Sequence, residues 1–116
     1  MRLISCSLTE RQVRDRTKTE TRRLKWLHVK PGQLLCFVDK AMGLKKGQKP
    51  KRIAIVRVTS VRREFLCKIT QSAVDREGFH GLSPQGFIDM FCHHMDCPSY
   101  AMVTVIRFQY IPGGRF

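Results

Sequence analysis

The segment Met102–Tyr110 limits the fold more than any other stretch, because Met102, Thr104, Ile106, Phe108 and Tyr110 alternate with Val103, Val105, Arg107 and Gln109. A period of two belongs to a β-strand with one face in a core and the other partly wet; a helix cannot gather such a pattern on one side. That strand needs partners. Ile53–Val61 is the longest central candidate, Gln33–Val38 follows the turn signal Pro31-Gly32, and Arg2–Ser7 reads as a short first strand. Between the strands lie helix signals. Ser7-Leu8-Thr9-Glu10 has the form of a capping box opening a short helix with Leu8, Gln12 and Val13 inside. Thr70 can cap Gln71–Glu77, which Gly78 stops, and Ser83-Pro84 opens a helix running to about His94. Phe87, Met90 and Phe91 take its core spacing. Together these signals predict one α+β domain over residues 1–116, a small β-barrel or mixed sheet flanked by short helices. Its last strand closes the sheet, and Met102, Ile106, Phe108, Ile53, Ile55 and Val56 are expected in the core.

The chain is strongly basic: 22 Lys and Arg against 9 Asp and Glu give a net charge of +13. Residues 1–25 hold 8 of these cations and residues 40–68 hold 10, the latter beside a single acid, Glu64. Clustering on this scale points to a polyanionic partner, RNA or another single strand, with a merely solvated face as the alternative. The residues expected to touch it are Arg16, Arg22, Arg23, Lys25 and Trp26 in the first cluster and Lys45, Lys46, Lys49, Lys51 and Arg52 in the second. Trp26, Phe79 and Tyr100 are rings on which a base could stack. No membrane partner is expected, since no apolar run approaches the ~20 residues of a span and no basic segment has a long amphipathic face. With 116 residues and 42% hydrophobic content the chain can bury one core, which excludes wholesale disorder and disfavours a two-lobed enzyme. Met1–Ser5 lacks the hydrophobic region of a signal peptide, and the five cysteines are an odd number, so a cytoplasmic protein with reduced thiols is the expectation.

Chemistry concentrates in Arg16-Thr17-Lys18-Thr19-Glu20-Thr21-Arg22-Arg23. In an extended conformation Lys18, Glu20 and Arg22 face one side and Thr17, Thr19, Thr21 and Arg23 the other. Hydroxyls beside a guanidinium fork suit a phosphate or a base edge, and a lysine in a partly closed pocket can lose its proton readily enough to act as a base. A solvated strand is the alternative. Glu77 sits in the last turn of its helix, where the macrodipole disfavours a carboxylate by about 0.3–1 kcal/mol and pushes its pKa upward, as suits a general acid or base. A harmless exposed carboxylate before Gly78 is the alternative. Cys92-His93-His94-Met95-Asp96-Cys97 carries metal donors without the two separated ligand pairs of a structural zinc site, so neither metal nor cofactor is expected.

Taken in order, four features resemble the ASCH domain of the PUA-like superfamily over essentially the whole chain. They are the opening strand and helix, the Lys18-Thr19-x-Thr21-x-Arg23 string, Pro31-Gly32-Gln33-Leu34-Leu35 entering a strand, and a helix ending Asp75-Arg76-Glu77-Gly78-Phe79. The family signature is similar to Gly-x-Lys-x-x-Thr-x-Arg. Lys18, Thr21 and Arg23 match it in type and spacing, while Arg16 stands where the first Gly is expected. The resemblance implies a small β-barrel flanked by helices, with a central cleft into which these residues project, on a domain that binds RNA and takes a nucleotide or modified base into the cleft. Some bacterial members hydrolyse the acetyl amide of N4-acetylcytidine nucleosides, and others are ribonucleases. Carried over, the catalytic residues would be Thr21 as nucleophile, Lys18 as its activating base and Glu77 orienting Lys18 or shuttling the proton. A nucleic-acid-binding domain is the first expectation, and an amidohydrolase or a ribonuclease the alternative.

Overall fold

Two long antiparallel strands organise the molecule, a computed structural model that describes residues 1–115. These are β4 (Arg52–Phe65) and β5 (Met102–Arg115). They pair from Ala54 opposite Arg115 to Phe65 opposite Met102, with register shifts between Ala54 and Val56 and between Val58 and Ser60. Such irregularities add local twist and bend the ribbon. The bend lets the pair serve two cores. Ile53, Ala54, Val56, Val58, Ile106 and Phe108 join Ile4, Leu35 and Phe37 in one, where the Phe37 and Phe108 rings lie 5.1 Å apart. Val103 and Val105, on the opposite face of β5, join Val74, Phe87 and Phe91 in the other.

The remaining strands are β1 (Arg2–Ser5), β2 (Glu20–Arg23) and β3 (Leu34–Val38), and the sheet order is β1-β3-β4-β5-β2. Among the described residues only β1 and β3 run parallel. The helices are α1 (Glu10–Arg14), α2 (Gln71–Glu77) and α3 (Pro84–Met95), with a 3-10 turn at Leu66–Lys68. The two later helices begin and end where local chemistry dictates. Thr70 accepts a hydrogen bond from the Ala73 N–H, Ser83 accepts one from Gly86, and Gly78 ends α2 at φ 98°. None of the described helices is long and apolar enough to cross a membrane.

The sheet is mixed and does not close. This corrects the barrel form of the expectation and also the placing of the last strand: β5 is internal, and β1 and β2 are the edges. No backbone pairing joins them among the described residues. Side chains bridge the seam instead, with Arg23 Nη2 donating to the Ser5 carbonyl at 2.6 Å and Arg2 lying 3.6 Å from the Trp26 ring centroid. Because helices cover one face of β5 and the curled sheet covers the other, Val103 to Ile106 are buried on both sides, so the wet face expected there is absent over those residues. Met102, expected inside, is 39% exposed at the open end of the ribbon, opposite exposed Phe65, and Ile55 is only half-buried. The capping box does not form. Thr9, not Ser7, is the N-cap of α1 and makes no side-chain cap, and Leu8 is exposed.

Candidate functional site

Lys18 is fixed by its backbone before its side chain does anything. Arg16 turns the chain out of α1 at φ 64°, the left-handed conformation that a Gly would adopt freely, so the turn survives the departure from the family signature. The Thr17 and Lys18 N–H groups both donate to the Gln12 carbonyl, Thr19 N–H donates to the Arg76 carbonyl at 2.8 Å, and the Tyr110 hydroxyl donates to the Lys18 carbonyl at 2.6 Å. Gly78 makes this approach of α2 feasible. A Cβ there would stand 3.0 Å from the Gln12 Cβ and Cγ, in addition to the strain of its positive φ.

From this clamp Lys18 Nζ donates to the Glu77 carbonyl and to Glu77 Oε1, both at 2.8 Å, and the pair is buried. Burial lowers the Lys18 pKa, and the charge and hydrogen bond of Glu77 oppose that shift without cancelling it. The second Glu77 oxygen faces Arg22 Nη1 at 3.5 Å. Arg22 also pairs with Glu20 through Nη1 and with Glu64 through Nη2 at 2.9 Å. Burial works against the Arg22 charge, but the bonds to Glu64 and Glu20 outweigh it and its pKa rises. Glu20, fully buried, accepts from Arg76 Nε and forms an ion pair with Arg107 Nε, each at 3.2 Å. Three of the nine acidic residues therefore converge on one guanidinium, which fixes the cleft floor.

Above this network lies a cavity of about 210 Å3 at the seam between the edge strands. Ser5, Thr21, Arg23 and the Lys18–Glu77 pair supply its polar wall, and Phe79, Phe87, Met90 and Phe91 supply an apolar one. Thr21 Oγ1 accepts from Arg23 Nε at 3.1 Å, and among the described residues its own proton has no acceptor. Arg23 forms no salt bridge among the described residues. Burial lowers its pKa. It is thus a partly buried cation, without a carboxylate partner, at the cavity wall.

The structure brings Lys18, Thr21 and Glu77 to one cavity, but hydrogen bonds join only Lys18 to Glu77. The expected surface set divides. Lys45, Lys46, Lys49 and Lys51 are exposed on the connection after β3, whose last residue Val38 accepts from the Cys6 N–H, and Cys6 lines the cavity; Arg52 is exposed at the start of β4. Lys25 is exposed at φ 66° and Arg16 is partly buried beside Tyr110. Arg22 is corrected: its side chain is 0% exposed and committed to three carboxylates, so it cannot contact a strand at the surface. Trp26 is corrected as an open stacking platform, because Arg2 already covers one face and the ring packs on the core. Phe79 lies at the cavity and Tyr100 is exposed away from the two cores. The sequence reading grouped Glu20 with Lys18 and Arg22 on one side but did not foresee its burial; Glu64, Arg76 and Arg107 carried no sequence signal, because their partners are distant along the chain.

No family model and no curated protein matches this chain. Solved structures do. A protein of Enterococcus faecalis V583 described as DUF984 superposes with a TM-score of 0.65 at 18% identity, covering 90% of this chain and 71% of that one. An ASCH domain from Lactobacillus crispatus gives 0.61 at 16% identity, covering 89% and 70%. An ASCH protein from Zymomonas mobilis gives 0.56 at 14%, covering 94% and 73%. At these identities the likeness is one of fold: this chain has the fold of these ASCH-domain structures.

Proposed function

We propose that this protein binds nucleic acid, RNA in particular, and takes a single nucleotide or modified base into the seam cavity. The observation that carries the reading is Arg23, a cation with no carboxylate partner among the described residues, at the edge of a cavity that is apolar on one wall and hydrogen-bonding on the other. A nucleobase has this division: its face packs against Phe and Met side chains, and its edge meets Thr21, Arg23 and Ser5. The exposed lysines on the connection after β3 suit the phosphates of the flanking strand, and the +13 net charge supplies long-range attraction. Fluorescence anisotropy of a single-stranded RNA over a salt series tests the reading. Affinity should fall steeply with salt, and Arg23→Met should weaken binding by about 1–3 kcal/mol through loss of a charged hydrogen bond. Binding that ignores both salt and Arg23 would sink it.

One observation favours a second reading, hydrolysis of an acylated nucleoside amide. Lys18 spends two of its three N–H bonds on Glu77, and its pKa is lowered. Once neutral, the amine would hold its lone pair at the remaining vertex, where it could take the Thr21 proton. Thr21 Oγ would then attack the acyl carbon, Lys18 would return the proton to the leaving amine, and water would clear the ester. Rates should rise with pH to a plateau whose midpoint lies below the ordinary lysine value of 10.5. Acetate release from N4-acetylcytidine that persists in Thr21→Ala would reject the nucleophile assignment, and no release by the wild type would reject the second reading altogether.

A further inference from the structure

The end of α3 places two thiols together by the geometry of helix termination alone. Asp96 adopts the left-handed conformation at φ 49°, its N–H donates to the Cys92 carbonyl, and the Cys97 N–H donates to that same carbonyl at 3.3 Å. A six-residue closure of this kind brings the side chains at its two ends into contact, a position that usually holds an apolar pair. Here both ends are cysteine. Both are partly buried against the same core as Phe87 and Phe91. We propose that Cys92 and Cys97 form a reversible intrachain disulfide, with a low-molecular-weight disulfide as oxidant.

The exchange balances. The Cys92 thiolate attacks one sulfur of the small disulfide and expels the other as a thiolate. The Cys97 thiolate then attacks the Cys92 sulfur and expels the second. Two electrons pass to the oxidant, and the two protons lost by the cysteines end on the two released thiols. Burial, with Cys92 beside it, pushes the Cys97 thiol up and lowers its thiolate fraction, a loss that proximity offsets in the second, intramolecular step. The consequence is local: His94 and Met95, between the two cysteines, line the seam cavity, so the bond would fix that wall.

The test equilibrates the purified full chain in glutathione redox buffers, traps free thiols and maps tryptic peptides. No Lys or Arg lies between Glu77 and Arg107, so both cysteines fall on one peptide, while exposed Cys67 falls on another. The expected result is a Glu77–Arg107 peptide lighter by two hydrogens and resistant to alkylation, restored by reduction, with Cys97→Ser instead retaining a glutathione adduct on Cys92. Asp96→Gly, which keeps the left-handed turn, should leave the equilibrium within about twofold; Asp96→Val, which disfavours that turn, should weaken closure at least about fivefold. Glutathione adducts that persist on the wild-type peptide, or two free thiols there under conditions that modify Cys67, would overturn the proposal. So would equal closure in Asp96→Gly and Asp96→Val.

Discussion

Replacing Glu77 by Leu removes the only carboxylate bonded to Lys18 among the described residues while leaving the ammonium buried. Breaking a buried ion pair in this way costs about 3–5 kcal/mol. A second route gives a similar ceiling: at pH 7 an amine of ordinary pKa 10.5 can shed its proton for about 5 kcal/mol, so burial of the unpaired charge cannot cost more. The reciprocal variant Lys18→Met should cost less, about 1–3 kcal/mol, because Arg22 remains 3.5 Å from Glu77. The double variant has neither charge to bury. Two apolar side chains of similar length would occupy the space, and such replacements are often close to neutral. Urea unfolding of the four proteins should therefore give a coupling energy of about 4–8 kcal/mol, the sum of the two single costs, the double variant being more stable than Glu77→Leu. Single costs that add to within about 0.5 kcal/mol would show that the two groups do not interact, and the argument for a preorganised cleft would fail with them.

Three further outcomes follow from the same structure. Gly78→Ala should destabilise the fold by about 1–2 kcal/mol or more, since a side chain there meets both positive φ and Gln12; a loss below about 0.5 kcal/mol in urea unfolding would mean that α1 and α2 are not held as described. Phe108→Ala, which empties the space against Phe37, should cost about 3–5 kcal/mol, and a cost below about 1 kcal/mol would contradict the phase of β5. Burial raises the Glu64 pKa, but its bonds to Arg22 outweigh this and hold it below the ordinary value of 4.5. A depressed carboxylate stabilises fully above that value and loses its contribution as pH falls through its folded pKa, so Tm should drop in acid more steeply for the wild type than for Glu64→Gln.

The parts of the fold that were legible in the sequence are those decided by neighbouring residues. Thr70, Ser83 and Gly78 bound α2 and α3 through contacts within a few positions, and the alternation of β5 is a property of one strand. Strand order depends on partners far apart along the chain, so nothing local placed β5 inside the sheet or β1 and β2 at its open edges. The capping box failed because Ser7 lies at the cavity and α1 starts two residues too late for the Ser7–Glu10 pair to close. Lys18, Thr21 and Glu77 were legible as a set only through the resemblance; Glu77 is 59 residues from Lys18, and no spacing rule joins them. Arg22 misled because a cation beside other cations reads as surface, whereas three distant acids enclose it.

The central claim, that a single base enters the seam cavity while the basic connection holds the flanking strand, is tested most directly by NMR titration of the labelled protein with a short single-stranded RNA. The account predicts saturable shifts of the Thr21, Arg23 and Phe79 amides together with those of Lys45, Lys46 and Lys49, and loss of the first group alone in Thr21→Val with Arg23→Met. Shifts confined to the lysine segment, or cavity signals unmoved at saturation, would contradict it.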